Sequence, residues 1–118
     1  MKDKELLEKI TEILKDMNLV KGKKGYRYIV EAVVLSYKNE KYLYHKSTLL
    51  YPKLAEIYGE TSTGVEKAIR DSIQNAWKEV DKKAIKKKYG KLGEKRLKGP
   101  SNSEFLCAVV GFLKLEDN

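Results

Sequence analysis

Residues 63–78 carry the side chains best suited to directional hydrogen bonding. Four of them recur at intervals of three and four residues, namely Glu66, Lys67, Arg70 and Gln74. This spacing places them on one face of an α-helix. Lysine and arginine donate to guanine O6 and N7, glutamate accepts from cytosine N4, and glutamine pairs with adenine. A helix with such a face has the chemistry needed to read base edges in duplex DNA.

The opposite face of the same helix is apolar along most of its length. Aliphatic side chains recur from Val65 to Ala76, and Trp77 ends the stripe, so this face is expected to be buried. Thr63 and Glu66 have the spacing of a capping box, in which a hydroxyl and a carboxylate each satisfy a free amide. The helix is therefore expected to begin near Thr63, where its amino-terminal amides would attract a phosphate.

The residues before this helix predict a second helix and a sharp turn. Pro52 is tolerated in the first turn of a helix, and Gly59 ends a helix well because glycine adopts a positive φ without strain. Ala55 is small enough for two helices to cross closely, and Val65 would bury an aliphatic side chain early in the second. This pattern predicts a helix-turn-helix, whose second helix enters the major groove.

Hydrophobic periodicity predicts an all-α fold, a single domain of six helices spanning residues 1–118. The expected helices cover about 3–17, 26–37, 52–58, 63–78, 82–89 and 101–113, with loops at 38–47 and after residue 89. The segment 26–37 has the composition of a strand, but its unbroken length favours a buried helix. Ser101 and Glu104 have the capping-box spacing, and Cys107 is expected in the core.

Composition restricts the classes of function. The chain has 25 Lys and Arg against 17 Asp and Glu, a net charge of +8, which favours a polyanionic partner. His45 and Cys107 are the single histidine and cysteine. No glycine-rich phosphate loop is present, so we expect neither an enzyme nor a cofactor nor a metal. No apolar run approaches the ~20 residues that span a bilayer, so we expect a soluble cytoplasmic protein.

Two alternatives to specific DNA reading remain open. The polar face could serve a protein-interaction module, or an antagonist that pairs with a full-length regulator through Phe105–Leu113. The lysine-rich stretch 82–98 could bind nucleic acid without sequence preference, which predicts a steep salt dependence that Arg70→Ala leaves unchanged.

Five groups of residues together carry a family resemblance. They are Gly25-Tyr26-Arg27-Tyr28 with Glu31-Ala32, Leu50-Tyr51-Pro52 through Ala55, Val65-Glu66-Lys67-Ala68-Ile69-Arg70, Ala76-Trp77, and Pro100-Ser101-Asn102-Ser103-Glu104-Phe105. Over about Ile10 to Leu115 the chain resembles the C-terminal effector domain of the master sporulation response regulator of endospore-forming Firmicutes, stage-zero sporulation protein A.

This resemblance implies a six-helix domain that binds double-stranded DNA in the major groove. It implies tandem copies that contact each other partly through the last helix, and contact with a sigma subunit of RNA polymerase near residues 82–89. Base and phosphate contacts in the family come from the start of the recognition helix. Glu66 and Arg70 keep the family residue types there.

Three positions depart from the family pattern. Lys67 replaces an arginine and loses its fork geometry at a guanine. Gly64 stands where the family usually carries a base-contacting arginine, and Asp71 where it often carries histidine. The absence of that arginine and the added carboxylate should weaken or retarget binding, so the operator of the family is not assumed for this chain.

The family normally has a phospho-receiver domain ahead of the effector. This chain begins with Met1 and leads directly into its first helix. We expect either a part of a longer regulator or a stand-alone effector, and the charge-rich residues 1–8 favour the second interpretation.

Overall fold

The computed structural model describes residues 1–92 and 98–117, and these residues form seven α-helices and no strand. The helices are α1 (Asp3–Asp16), α2 (Lys24–Lys38), α3 (Lys41–Tyr44), α4 (Tyr51–Tyr58), α5 (Ser62–Trp77), α6 (Lys82–Tyr89) and α7 (Asn102–Glu116), with a π-helical turn at Lys46–Leu50. The predicted all-α class is confirmed. Residues 93–97, part of the loop predicted after residue 89, lie outside the described residues.

The described part of the chain has seven helices where six were predicted, because the segment 38–47 is not entirely a loop. That stretch contains α3 and leads into the π-helical turn. Leu43 in α3 and Leu50 in the turn are both buried, and α3 packs against α2 and α7. Tertiary burial rather than local periodicity stabilises so short a helix, so its sequence carries no clear helical signal.

The central helix is α2, which packs against α1, α3, α4, α5 and α7. Ile29, Ala32 and Val33 are fully buried, which confirms a helix over 26–37. Gly25 lies where α2 approaches α5: a Cβ atom there would stand 1.9 Å from Ser72 Oγ and 2.4 Å from the Ala68 carbonyl oxygen. This close approach brings α5 against the centre of the protein.

A left-handed glycine joins α4 to α5. Gly59 has φ 63° and ψ 42°, and both its amide and the Glu60 amide donate to the Ala55 carbonyl oxygen. A helix that ends in this αL geometry turns sharply. Val65 and Ile69 are then fully buried. The predicted bend at Gly59 is confirmed, and the aliphatic side of α5 faces the core.

Polar contacts hold the ends of α1, α5 and α6 together. Asn18 follows α1 at a positive φ of 64°, and its Nδ2 donates to the Ala76 carbonyl oxygen of α5 at 3.3 Å. Asp16 accepts hydrogen bonds from Lys88 Nζ at 2.8 Å and from the Tyr89 hydroxyl at 2.5 Å. The carboxyl end of α1 therefore anchors α6, which begins and ends at the predicted residues.

The capping box at the start of α7 is as predicted, but the burial of Cys107 is not. Ser101 Oγ accepts from the Glu104 amide and Glu104 Oε1 accepts from the Ser101 amide, both at 3.1 Å, which confirms the capping box. The prediction that Cys107 lies in the core is wrong, because it is exposed. The apolar run around it is longer than one face of a helix, and Cys107 lies opposite the buried Val109 and Leu113.

Adding a methyl group at Gly25 should destabilise the protein. In Gly25→Ala the new Cβ would overlap the backbone of α5, so either helix must shift; such overpacking typically costs about 1–3 kcal/mol. Gly111→Ala is the matched control, because Gly111 is also helical and has no atom near its Cβ position. Alanine there should raise stability by up to about 1 kcal/mol. Urea denaturation of both variants measures the difference, and equal midpoints would contradict the close approach.

The Asp16 contacts should make stability depend on pH. The hydrogen bond from Lys88, followed by that from Tyr89, lowers the pKa of Asp16. A carboxyl whose pKa is lowered by folding contributes stability above its unfolded pKa, about 3.9, and loses it as pH falls through the folded value. Asp16→Asn should therefore lower the urea midpoint modestly at pH 6 and much less at pH 2.5.

Asp71→Asn serves as the control for this pH experiment. Asp71 is an exposed carboxylate with no ion pair among the described residues, so its substitution should change the urea midpoint little at either pH. An equal loss of stability at pH 6 and pH 2.5 in Asp16→Asn would show that the carboxylate charge contributes nothing.

Candidate nucleic-acid interface

The side of α5 that faces away from the core forms a polar ridge. The seven residues predicted to contact DNA lie along α5: Thr63, Lys67, Arg70 and Asp71 are exposed, and Gly64, Glu66 and Gln74 are half-buried. Their exposure follows from the opposite face, where Val65, Ile69 and Ile73 are fully buried. The chain thus leaves Lys67 and Arg70 uncovered.

The amino terminus of α5 differs from the prediction. Thr61, not Thr63, is the N-cap residue, and its Oγ1 accepts from the Gly64 amide at 3.0 Å. Thr61 is extended, with φ −90° and ψ 155°, and it directly follows the turn at Gly59 and Glu60. The predicted capping box of Thr63 and Glu66 is therefore wrong. Thr63 lies inside the first turn, where its side chain is exposed.

Gly64 lies under the carboxylate of Glu60. A Cβ atom at Gly64 would stand 2.7 Å from Glu60 Oε1, and the same oxygen accepts from the Thr61 amide at 2.9 Å. A side chain at this position would therefore displace Glu60. The start of α5 presents backbone and small side chains rather than a long basic residue.

Glu66 and Arg70 form an ion pair along the ridge. Arg70 Nη1 donates to Glu66 Oε1 at 2.7 Å and to Oε2 at 2.9 Å. The Arg70 side chain is 45 % exposed and that of Glu66 33 % exposed. The pair uses one guanidinium nitrogen, so the remaining N–H groups of Arg70 are left to bind another acceptor.

A groove of about 830 Å³, which we call the α7 groove, follows one flank of α5. Its walls are the α5 side chains Glu66, Arg70 and Gln74, the residues Lys46, Ser47 and Tyr51 near the start of α4, and the segment 98–103 that leads into α7. Gly99 allows this segment to approach α5: it has φ 91°, and a Cβ there would lie 2.5 Å from Trp77 Cγ.

A buried amide connects the walls of the α7 groove. Asn102 Nδ2 donates to the Glu66 carbonyl oxygen at 3.1 Å and to the Tyr51 hydroxyl oxygen at 3.3 Å. Asn102 is 8 % exposed and Tyr51 is 7 % exposed. Burial raises the pKa of Tyr51, so its hydroxyl keeps its hydrogen at neutral pH. Asn102 Oδ1 is buried and has no hydrogen-bond partner among the described residues.

A second groove, of about 470 Å³, follows the other flank of α5. It is lined by Val20 and Lys23 from the segment before α2, and by Asp71, Ser72, Gln74, Asn75 and Lys78 of α5. The polar ridge therefore rises between two depressions, and lysine side chains border both of them.

No sequence signal marks Lys46, Tyr51 or Asn102 as a site residue, and Lys98 is predicted only as part of the lysine-rich stretch 82–98. The capping-box spacing predicted where α7 begins, but it contained no information on which helix that end would face. Contact between residues 66 and 102 depends on the tertiary packing of α5 and α7.

The described residues contain no group of three or more His, Cys, Asp or Glu side chains that could hold a metal ion. None of their helices is both long and apolar enough to cross a lipid bilayer.

A family model covers nearly all of the fold. The family described as "Sporulation initiation factor Spo0A C terminal" matches residues 10–113, from the middle of α1 to the buried end of α7. The match includes the whole polar ridge of α5 and both grooves beside it. The chain therefore belongs to this family of C-terminal DNA-binding effector domains of a sporulation transcription factor.

Proposed function

We propose that this protein is a sequence-specific transcription regulator that inserts α5 into the major groove of double-stranded DNA. The observation that carries the proposal is the ridge of hydrogen-bonding side chains on α5, which stands between two grooves. The B-DNA major groove is about 12 Å wide and an α-helix with side chains is about 10–12 Å in diameter. A raised helix flanked by depressions fits this groove, because the depressions leave room for the two backbones.

The arrangement of α4 and α5 supports a helix-turn-helix role for the pair. The αL turn at Gly59 joins them, and the buried Val65 and Ile69 seal α5 against the core. In this motif the second helix reads bases with its amino-terminal half, while the first crosses the backbone. Thr63, Gly64 and Lys67 would then lie deepest in the groove.

Each polar residue of the ridge has a role that its chemistry supports. Lys67 and Arg70 donate to guanine, and Gln74 pairs with adenine. Glu66 accepts from cytosine N4 or orients Arg70, and the 2.7 Å pair between the two favours the orienting role. Asp71 accepts from a base amino group and repels a nearby phosphate, so it adds discrimination rather than affinity.

We propose two further partners, a second copy of this domain and a sigma subunit, from the family resemblance and from the exposed faces of α7 and α6. We assign tandem contacts on DNA to α7, which leaves Cys107, Gly111 and Leu115 exposed. Contact with an RNA polymerase sigma subunit is assigned to α6, whose exposed side is rich in lysine.

A second candidate function is an antagonist that pairs with a full-length regulator through α7. Leu115 is 73 % exposed, which favours a partner on this helix. Tight heterodimer formation in a pull-down, without DNA affinity, would support this candidate. A Leu115→Asp variant that no longer formed the heterodimer would assign it to α7.

Selection of duplexes from a random-sequence pool tests the proposed function. The protein should enrich one sequence, and a fluorescence titration should then show tighter binding to it than to a random duplex. Lys67→Ala should relax specificity at one base position, at a cost of about 1–3 kcal/mol. Arg70→Ala should weaken binding and also release Glu66 as an unpaired carboxylate in the interface.

Lys4→Ala is the matched control for these variants. It removes the same charge from α1, which packs on α2 and α7, and it should leave the sequence preference unchanged. Equal affinity of the unsubstituted protein for all duplexes would contradict specific reading. A steep salt dependence that Arg70→Ala does not alter would instead assign binding to the lysine-rich stretch 82–98.

A further inference from the structure

We infer that the α7 groove holds a phosphate of the DNA backbone, bound by the Tyr51 hydroxyl and the amino terminus of α7. This inference rests on the proposed function, and it assigns to residues outside the α5 ridge a contact that does not depend on base sequence. Phosphate contacts of this kind set the orientation of a protein on the duplex.

The α7 groove lies where a DNA backbone would pass if α5 entered the major groove. Its α5 wall consists of Glu66, Arg70 and Gln74, the flank of the ridge that would meet the bases. When a helix of about 10–12 Å diameter lies in a major groove about 12 Å wide, a sugar–phosphate backbone must lie along each flank. The α7 groove is the space on that flank.

The Tyr51 hydroxyl has a hydrogen available for a phosphate oxygen. It accepts from Asn102 Nδ2, which occupies a lone pair and leaves its own hydrogen to donate. No acceptor for that hydrogen is present among the described residues, although Tyr51 is only 7 % exposed. Tyr51 lines the groove, so this hydrogen can be donated to an acceptor bound there. A phosphate oxygen in the groove would supply the missing acceptor.

The start of α7 has backbone amides available for a phosphate. The capping box satisfies the Ser101 and Glu104 amides, whereas the Asn102 and Ser103 amides have no partner within the described part of the chain. Both residues line the groove. Free amides at the positive end of a 15-residue helix bind a phosphate well, because the helix dipole adds to their hydrogen bonds.

The charges around the groove also favour an anion. Lys46 and Lys98 border it, and Lys98 has no ion pair among the described residues. The carboxylate of Glu66 is neutralised by Arg70. Lys46 Nζ donates to the Leu43 carbonyl oxygen, so its charge is held beside the groove.

The donor set selects a phosphate over a base. The Tyr51 hydroxyl hydrogen, two backbone amides and the ammonium groups of Lys46 and Lys98 are donors, and a phosphodiester offers the acceptors that they need. The one unpaired acceptor among these residues, Asn102 Oδ1, is buried. The Tyr51 ring is buried, so it offers no exposed face on which a nucleobase could stack. The groove also opens onto the α5 ridge, so the duplex read by α5 is the source of the phosphate.

Removal of one hydroxyl tests the site. Tyr51→Phe removes the hydroxyl and keeps the buried ring. The control is Tyr58→Phe, which removes a hydroxyl from the other end of α4, where Tyr58 lies beside Arg27 and Tyr28. Tyr51→Phe should weaken binding roughly tenfold for both the selected duplex and a random duplex of about 30 base pairs, as expected for a hydrogen bond to a charged group. Tyr58→Phe should bind as the unsubstituted protein does. Urea midpoints verify that both variants fold.

A charge variant provides an independent measurement. Lys98→Ala should reduce the slope of log affinity against log salt by about 0.9, the value for one phosphate contact. In ¹H–¹⁵N spectra the Asn102 and Ser103 amides should shift on addition of duplex. The shift should be smaller with a duplex in which methylphosphonate replaces the contacted phosphate.

The outcomes separate this inference from the proposed function. If the protein selects a sequence but Tyr51→Phe and Lys98→Ala both bind like the unsubstituted protein, the phosphate site is wrong and the function stands. If inorganic phosphate alone shifts the Asn102 and Ser103 amides and duplex DNA does not, the groove binds free phosphate and the DNA assignment is overturned. If no sequence is selected, the proposed function fails, and unchanged affinity of Tyr51→Phe for random duplex would still reject the site.

Discussion

The close approach of α2 and α5 at Gly25 is the constraint on which the rest of the molecule depends. Because no Cβ separates the start of α2 from the Ala68 carbonyl oxygen, α5 lies directly on the central helix. Its position is then fixed along its length by the buried Val65, Ile69 and Ile73. A recognition helix must be rigid, because a hydrogen bond to a base weakens steeply when donor and acceptor move apart by even about 1 Å. The polar ridge is accordingly built on a well-packed helix rather than on a loop.

The parts of the fold that the sequence predicted are those in which local signals agree with packing. α5 and α7 have capping residues and a periodic apolar face, and Gly59 has the backbone freedom that its turn requires. Three predictions failed because the sequence pattern did not distinguish between alternatives or did not reveal tertiary burial. Thr61, Ser62 and Thr63 are all competent caps, so composition did not identify Thr61. α3 is stabilised by burial of Leu43, and Cys107 belongs to an apolar run that continues around the helix. The α7 groove could not be predicted, since its walls are distant in sequence.

The ion pair between Glu66 and Arg70 shapes what the ridge can read. A free arginine samples many rotamers and loses that entropy on binding, whereas an arginine held by a carboxylate one turn away is already oriented. The same pair reduces the positive charge of the ridge. Affinity must then come from cations elsewhere, and the lysines that border the two grooves are placed to supply it. Specificity and affinity are thereby divided between the ridge and its flanks.

Asn102 joins these two functions in one hydrogen-bond network. Its amide nitrogen binds the backbone of α5 at Glu66 and the Tyr51 hydroxyl at the start of α4, while its own backbone begins α7. Three helices therefore meet at one buried side chain. A phosphate bound by Tyr51 and by the amides of α7 would be fixed relative to the backbone of α5, not merely near it. The depth and register with which α5 enters the major groove would follow from that distance, so a contact that carries no sequence information would determine which bases the ridge can reach.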